Sequence, residues 1–201
     1  MIVSMRALRS LCFLLLLPLI ASCSPVGGQM DAAPAPENTV TAAFALGCYW
    51  CGEAAFEGKT GIVDVTAGYM TTGADSREAV RVRFDPATTS YEELLDIFWP
   101  NVDPFDDEGQ FCDRGGEYRS AIFVYDETQE SEAKRSKESV RETLGKDVVT
   151  PILPTGEFRA VRESEQDFAK KNPVRYRTYR LNCGRDARLH QVWGGRAGAH
   201  D

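Results

Sequence analysis

Histidine is scarce in this chain of 201 residues, and long apolar segments and concentrated positive charge are also missing. The two histidines, His190 and His200, do not show the spacing of metal ligands, which argues against a histidine-based metal centre. Beyond the N-terminal 20 residues, no segment is apolar enough to predict a membrane-spanning helix. The formal net charge is −7 and no basic patch stands apart from acidic residues, so we expect no nucleic-acid partner.

The N-terminus has the pattern of an export signal. Arg6 and Arg9 precede a short apolar core, Leu11–Leu17, and small residues follow it, so residues 1–22 are predicted to be a signal peptide. Its end, Ile20-Ala21-Ser22-Cys23, resembles the bacterial lipoprotein box, in which the cysteine becomes lipidated. The alternative is ordinary cleavage with an incidental cysteine. We favour a lipid anchor on Cys23, and hence an exported, periplasmic, membrane-anchored protein.

The rest of the chain divides into a linker and one domain. Residues 23–38 are rich in Pro, Ala and Gly without periodicity and are predicted to be a flexible linker. Residues 39–201 are long enough to bury a stable core without disulfides. Loss of the signal removes two arginines and no acids, which changes the formal charge from −7 to −9.

Four of the six cysteines belong to the predicted domain: Cys48, Cys51, Cys112 and Cys183. In an oxidising compartment, two static disulfides are the simplest expectation, with three possible pairings. The size of the domain argues against a need for such bonds, and a Cys48–Cys51 bridge would close too small a loop to add much stability.

The order of predicted elements indicates an α+β fold. A buried strand over 40–46 and a helix over 48–57 are followed by strands over 62–67 and 79–84 and by a helix that begins with a capping box at Ser90. Next come a strand over 119–125, a charged helix that Gly145 ends, and a short strand over 148–152. This is the order of a ferredoxin-like split βαβ, a two-layer core with an antiparallel or mixed sheet. Residues 101–116 are expected to form a long loop, which in a compact domain is usually functional or disordered, and the chain from Asn172 onward an irregular C-terminal tail.

The stretch Gly47-Cys48-Tyr49-Trp50-Cys51 carries the strongest chemical signal. Cys48 follows an apolar strand and begins a helix, where unpaired N–H groups and the helix dipole favour a thiolate. Cys48 is therefore a candidate nucleophile. Tyr49 and Trp50 beside it would form an apolar slot; packing in the core explains Trp50 alone equally well, but explains the two rings together less well.

This stretch resembles the Gly-Cys-Phe-Trp signature of A-type peptide methionine sulfoxide reductases. Further matching segments occur in the family's order, including Ala67-Gly68-Tyr69, Glu78-Ala79-Val80, Asp103-Pro104, Asp113-Arg114-Gly115 and Tyr118-Arg119-Ser120. The resemblance covers roughly residues 39–193. It implies reduction of the S epimer of free and peptide-bound methionine sulfoxide, the oxidised form that such enzymes restore.

The same resemblance assigns roles to particular residues. It implies that Cys48 attacks the sulfoxide sulfur, that Glu78 protonates the oxygen, and that Tyr118 hydrogen-bonds this oxygen with support from Asp113. Tyr49 and Trp50 would hold the methyl group of the substrate. Considered singly, Glu78 could be a solvated strand end, Asp113 a turn residue and Tyr118 a packing residue. Position 49 is Tyr where the family usually has Phe.

Two further features depart from the family pattern. The segment Gly68–Glu78 is shorter than usual, and no residue matches the second oxygen-binding tyrosine, which lies in an Asn-Pro-Thr-Tyr loop in other members. The cysteine that resolves the sulfenic acid of Cys48 is also open: Cys183 in the mobile tail ranks first, Cys51 second and Cys112 third. The resemblance implies no bound cofactor, and an external reductant such as thioredoxin as partner.

Three other classes of protein are compatible with parts of the sequence. A thioredoxin-like dithiol oxidoreductase would use Cys48 and Cys51, but the expected cis-Pro strand is missing and a partner acid such as Glu78 is unusual there. A four-cysteine zinc site normally has two close pairs, and this chain has one. A disulfide-stapled binding module is the third alternative.

Overall fold

The computed structural model describes residues 38–198. The predicted signal peptide, Cys23 and all but the last residue of the predicted linker lie outside the described residues. The strands are β1 (Val40–Ala45), β2 (Ile62–Thr72), β3 (Asp75–Phe84), β4 (Gly109–Gln110), β5 (Asp113–Arg114), β6 (Ala121–Val124), β7 (Ile152–Pro154) and β8 (Glu157–Ala160). The α-helices are α1 (Tyr49–Phe56), α2 (Tyr91–Phe98), α3 (Glu127–Leu144), α4 (Phe168–Lys171), α5 (Pro173–Cys183) and α6 (Arg185–Trp193).

Six strands form one mixed sheet in the order β7-β6-β1-β3-β2-β8, and β4 pairs with β5 in a separate ribbon. All neighbours in the large sheet are antiparallel except β6 and β7. Strand β3 lies between β1 and β2, and β1 lies between β3 and β6. Helices α1 and α2 therefore each connect two strands that are separated by one antiparallel strand. The prediction of an α+β fold with a mixed sheet is confirmed.

Strand β1 is buried on both faces, as its continuous apolar sequence predicts. Phe44 points into the larger cluster, where it stacks on Phe56 of α1 and Phe98 of α2 with ring centroids 5.1 and 5.3 Å apart. Ala43 and Ala45 point to the opposite face and a smaller cluster around Met70. Because β1 is held from both sides, its C-terminal end is a rigid support for the residues that follow.

The helix boundaries in the middle of the chain follow local capping signals. Ser90 and Glu93 form a reciprocal capping box at the start of α2, as expected from the sequence. Asp126 caps α3 by accepting a hydrogen bond from the N–H of Gln129, and Gly145 ends it in the left-handed conformation.

Two strands are longer than the sequence pattern predicted. Strand β2 continues to Thr72 and β3 begins at Asp75, so the two strands form a hairpin joined by Gly73 and Ala74. Gly73 has φ +61°, a conformation that favours glycine. The extension was missed because this stretch is polar, and its regular structure depends on strand pairing. The strand predicted over 148–152 is displaced to β7, since residues before Ile152 pack against the loop instead: the N–H of Val149 donates to the carbonyl of Pro104.

The prediction of an irregular C-terminal tail is wrong. Residues 173–193 form α5 and α6, joined at Gly184, which has φ +66°. Pro173 begins α5, and the buried face of that helix is formed by Tyr176 and Arg180. Tyrosine and arginine do not give the aliphatic period from which a buried helix is recognised, so tertiary contacts define these helices. Within residues 38–198, no helix combines the length and apolar character needed to cross a membrane.

Candidate active site

Cys48 lies between β1 and α1, at the N-cap of the helix. Gly47 precedes it with φ +83°, and a Cβ built there would come within 2.6 Å of the Cβ of Gln110. This close approach requires glycine and fixes the direction in which the chain enters the helix. The side chain of Cys48 is 7% exposed, so its sulfur lies at the edge of the buried core.

Cys51 lies one turn further along α1 and is fully buried. The thiols of Cys51 and Cys48 interact with each other, and neither is part of a disulfide. Burial raises the pKa of Cys48 well above its ordinary value. Burial also acts to raise the pKa of Cys51, but the interaction with Cys48 and the charges of Arg185 and Arg180 outweigh it and lower the pKa to about 6. The pair therefore holds one proton and one negative charge at neutral pH, with the proton on Cys48 and the charge on Cys51.

Glu78 on β3 is buried beside the start of α1. Its Oε2 accepts a hydrogen bond of 2.8 Å from the N–H of Tyr49, one of the groups at the helix N-terminus that has no partner within the helix. Burial raises the pKa of Glu78 to about 7, and the nearby carboxylates of Glu117 and Asp113 act in the same direction. A large fraction of Glu78 is therefore a neutral acid at neutral pH, which is the form that can donate a proton.

Tyr69 is a neighbour of Glu78 to which the sequence analysis gave no role. The register of the β2–β3 hairpin places Tyr69 directly opposite Glu78, where the two side chains interact. Burial and the charge of the facing Glu78 raise the pKa of Tyr69, so its hydroxyl keeps its proton. Recognition of a two-residue turn at Gly73 and Ala74 would have given this register from the sequence.

Tyr118 and Asp113 come from the long loop and face the same site. Tyr118 ends the 3-10 turn Gly116–Tyr118 and is half-buried. Burial, with the charges of Glu78, Glu117 and Asp113, raises its pKa to about 12. Asp113 lies in β5, and its Oδ2 accepts a hydrogen bond from the hydroxyl of Tyr179.

Tyr179 on α5 is a second tyrosine to which the sequence analysis gave no role. Its hydroxyl is hydrogen-bonded to both Asp113 and Cys48, and its ring meets Trp50 edge-on at 5.7 Å. Burial and the charges of the two cysteines raise its pKa strongly, so the hydroxyl keeps its single proton, which it donates to the Oδ2 of Asp113. Since the sequence was interpreted as irregular here, nothing pointed to this residue.

Tyr49 and Trp50 form one wall beside Cys48. Their rings are perpendicular with centroids 6.2 Å apart, and Trp50 stacks on Phe168 at 3.7 Å. Both residues are half-buried. Trp50 packs against Phe168 and Tyr179, as the core interpretation requires, and its predicted contact with the methyl group of the substrate stays a prediction.

A disulfide joins Cys112 in the long loop to Cys183 at the end of α5. Cys112 is exposed and Cys183 half-buried, and the bond ties the segment that carries Asp113 to the helix that carries Tyr179. The expectation that Cys183 lies in a mobile tail is wrong, because it ends a helix. Ligand atoms of Cys112, Asp113 and Cys183 lie within 4.8 Å of one another, but both sulfurs are joined and offer no thiolate to a metal.

The structure thus brings together most of the residues that the sequence singled out. Around Cys48 lie the side chains of Tyr49, Trp50, Cys51, Glu78, Asp113 and Tyr118. Cys183 lies at the rim, connected to the site through its bond to Cys112, and Cys23 is outside the described residues. This arrangement pairs a thiolate with a neutral carboxylic acid and several hydroxyl donors beside an apolar wall. It can attack an electron-poor centre and protonate the oxygen that leaves it.

Comparison with known proteins places the chain among enzymes with this chemistry. The peptide methionine sulfoxide reductase family matches residues 40–197. Peptide methionine sulfoxide reductase MsrA 2 of Caulobacter vibrioides is 41% identical over 193 residues, which cover 90% of this chain and 98% of that protein. MsrA of Bacillus licheniformis is 41% identical over 175 residues, covering 79% and 96%.

Solved structures of similar proteins share the fold. The reduced form of Mxr1 from Saccharomyces cerevisiae superimposes with a TM-score of 0.64 at 25% identity, covering 69% of this chain and 88% of that chain. Mxr1 has also been solved in complex with Trx2, at a TM-score of 0.51 and 24% identity, with coverage of 71% and 91%.

Proposed function

The chain belongs to the peptide methionine sulfoxide reductase family, and we propose that its reaction takes place at Cys48. It is an A-type enzyme, an oxidoreductase that uses thiols to reduce methionine sulfoxide to methionine. The observation that carries the assignment to this site is the neutral Glu78 beside the thiolate shared by Cys48 and Cys51. The substrate is the S epimer, free or within a peptide, since one enzyme class serves each epimer.

Binding places the methyl group of the substrate against Tyr49 and Trp50. Both rings are half-buried and fixed by aromatic neighbours, so the slot exists before the substrate arrives. The sulfoxide oxygen then faces Glu78 and Tyr118, which supply an acid and a hydroxyl donor. This arrangement separates the apolar methyl group from the polar oxygen and so distinguishes the two epimers at sulfur.

The first chemical step transfers oxygen from substrate to enzyme. The proton shared by the two thiols moves to Cys51, which leaves the charge on Cys48, the sulfur at the surface. Cys48 attacks the sulfoxide sulfur while Glu78 gives its proton to the oxygen, which forms a bond between the two sulfurs and a hydroxyl on the substrate sulfur. The hydroxyl then moves to the Cys48 sulfur as the sulfur–sulfur bond and the sulfur–oxygen bond of the substrate break, so methionine leaves and Cys48 is oxidised to a sulfenic acid.

Cys51 resolves this sulfenic acid. Its thiol already contacts Cys48, so a sulfur–sulfur bond can form without movement of a loop, and the hydroxyl of the sulfenic acid leaves as water with the Cys51 proton. The sequence ranked Cys183 first for this step, a prediction that the structure leaves untested. In the described state Cys183 is bonded to Cys112, which favours Cys51 as the first partner.

Cys112 and Cys183 serve the next step. A Cys48–Cys51 disulfide would be 7% and 0% exposed, which hides it from a protein reductant, whereas Cys112 is exposed. Transfer of two electrons from the Cys112/Cys183 dithiol to the inner disulfide regenerates both thiols and leaves the Cys112–Cys183 bond of the described structure. A thioredoxin-type protein then reduces this outer bond, and the reaction needs no bound cofactor.

The hairpin between β2 and β3 represents a shortened substrate loop. Relatives with an additional tyrosine in this loop have a second hydroxyl for the sulfoxide oxygen. Here the hydroxyls of Tyr69 and Tyr179 already contact Glu78 and Cys48, and they take over this function. The length of the turn, two residues, supports the proposal.

The protein works outside the cytoplasm, attached to a membrane by lipid on Cys23. The support for this location is the sequence of residues 1–23, with two arginines, an apolar core and a lipoprotein box. Labelled palmitate should be incorporated into the full chain in a bacterial host and lost in Cys23→Ser. Equal incorporation in both proteins would contradict the anchor without affecting the enzymatic assignment.

The enzymatic assignment is tested with separate epimers. The protein with dithiothreitol should reduce the S epimer of a blocked methionine sulfoxide and leave the R epimer unchanged, and Cys48→Ser should be inactive. Turnover of neither epimer, or equal turnover of both, would refute the proposal.

A further inference from the structure

Arg185 is a buried cation whose charge has no acidic partner. It begins α6 and is 0% exposed. Its Nη1 and Nη2 both donate to the carbonyl of Leu46 at 3.2 Å, and Nη2 also donates to the carbonyl of Asn101 at 2.6 Å. Its Nε is buried and unpartnered, and Phe111 covers the guanidinium with its ring centroid 4.4 Å away.

The other buried arginines of the described chain differ in this respect. Arg180 is paired with Asp186 and Arg77 with Asp75. Within residues 38–198, no carboxylate lies within 4.0 Å of a nitrogen of Arg185. A full charge in the interior without a counterion is costly, because neutral carbonyl groups replace only part of its hydration.

The position of Arg185 indicates where its counterion lies. Leu46, which accepts two of its hydrogen bonds, is two residues before Cys48 at the corner between β1 and α1. From there the positive charge acts on Cys51, the buried member of the thiol pair. Arg185 and Cys51 are both fully buried, so the interaction is weakly screened.

We propose that the thiolate shared by Cys48 and Cys51 is the counterion of Arg185, and that Arg185 thereby keeps the nucleophile ionised. Arg185 is a positioning residue, since it acts through the thiols and does not touch substrate. This inference rests on the proposed role of Cys48. The other groups that face the pair are Tyr49 from α1, Glu78 from β3, Tyr118 from the loop, and Tyr176, Tyr179 and Arg180 from α5.

A consequence follows for the catalytic cycle. Oxidation of Cys48 and Cys51 to a disulfide removes the anion and leaves Arg185 uncompensated, whereas reduction restores it. The buried charge therefore favours return of electrons to the inner pair and disfavours its persistence as a disulfide. The step that regenerates Cys48 and the step that ionises it thus depend on the same guanidinium.

The direct test measures ionisation of Cys48 without any sulfoxide. The rate of alkylation by iodoacetamide is followed against pH, and the rate of Cys48→Ser is subtracted to isolate that thiol. The midpoint of this curve is the pH at which the alkylation rate of Cys48 is half its maximum. Arg185→Gln should raise that midpoint by about two pH units and slow alkylation at neutral pH about tenfold. Arg185→Lys, which keeps the charge, should retain a midpoint close to that of the parent protein.

Arg188→Gln is the matched control. It removes the same charge from the same helix, but that guanidinium is 43% exposed and paired with Asp103, so the midpoint should stay unchanged. A folded Arg185→Gln with the parent midpoint would overturn the proposal even if sulfoxide turnover persisted. An equal shift in Arg188→Gln would also overturn it, because the effect would then come from net charge.

A second measurement needs no substitution at Arg185 and covers the case in which its variants do not fold. The parent protein is compared with Cys48 and Cys51 reduced and after their oxidation by diamide, with the Cys112–Cys183 bond present in both. The oxidised form should melt at lower temperature, because the buried cation has lost its anion. A higher melting temperature for the oxidised form would contradict the proposal.

Discussion

Replacement of Glu78 by glutamine tests the proposed acid most directly. Glutamine keeps an oxygen that can accept the hydrogen bond from the N–H of Tyr49, so the helix start should remain intact. What the variant lacks is a transferable proton. General acid catalysis typically contributes 10²–10⁴-fold, so kcat/KM at pH 6 should fall by about a hundredfold or more, equivalent to about 3 kcal/mol of transition-state stabilisation.

The same assignment predicts how kcat/KM depends on pH. The thiol pair must be ionised, which requires a pH above about 6, and Glu78 must be protonated, which requires a pH below about 7. For the parent protein we expect a bell-shaped profile of kcat/KM with its maximum between these values. Well above the upper limit each pH unit should reduce kcat/KM about tenfold, and because Glu78 is already half ionised at pH 7, the loss from pH 7 to pH 9 is about fiftyfold.

In Glu78→Gln the fall of kcat/KM at high pH, the upper limb of the profile, should disappear. The low remaining kcat/KM should rise through pH 6 and then stay constant. Glu117→Gln is the matched control, because it changes the same functional group on an exposed residue and retains the acid. Its upper limb should move to lower pH, since loss of that carboxylate lowers the pKa of Glu78. Steady-state kinetics with the S epimer and dithiothreitol measure all three profiles. An upper limb that survives in Glu78→Gln would refute the assignment of this proton to Glu78.

Three further predictions concern the cysteines and the glycine at the strand–helix corner. Cys51→Ser should lose thioredoxin-supported turnover and accumulate a sulfenic acid on Cys48, which dimedone labels. Cys183→Ser should lose the same turnover but accumulate a Cys48–Cys51 disulfide, which mass spectrometry under non-reducing conditions would show. The Cys112→Ser/Cys183→Ser double variant should be less stable to urea by up to about 4 kcal/mol, because the bond closes a loop with a sequence separation of 71. Gly47→Ala should unfold at a lower temperature, with disturbed alkylation of Cys48, because it combines φ +83° with a 2.6 Å contact to a neighbouring side chain.

Each of these predictions has a clear opposite outcome. A dimedone-negative Cys51→Ser would point to another resolving cysteine. Full thioredoxin-supported turnover in Cys183→Ser would make the outer disulfide purely structural. Unchanged stability of the double variant would mean that the loop is held by its other contacts, and a parent-like Gly47→Ala would show that the corner can adjust.

The local signals of the sequence predicted much of the fold. The apolar run before Gly47, the capping box at Ser90 and the glycine stop at Gly145 each act through neighbours a few residues away, so their outcome could be stated in advance. The β2–β3 hairpin was predicted too short because its outer part is polar. Strand pairing, which is a contact between distant residues, extended it.

The residues of the candidate site likewise divide into those that local sequence motifs identify and those that only distant contacts reveal. Cys48, Glu78 and Tyr118 could be named because they occur within recognisable motifs, and the structure places them together. Tyr179 and Arg185 belong to a segment with weak apolar periodicity, so neither gave a signal. Their importance arises from burial against the corner that carries Cys48, more than 130 residues earlier in the chain.

By itself the sequence determined the nucleophile, the acid and the apolar residues next to them, because strand, turn and helix start are adjacent in the chain. Only the tertiary structure decided how Cys48 is ionised and which cysteines are partners. Cys112 and Cys183 lie 71 residues apart and meet through the packing of α5 against the long loop. The charge of Arg185 reaches the thiols only because burial has removed the water that would otherwise screen it.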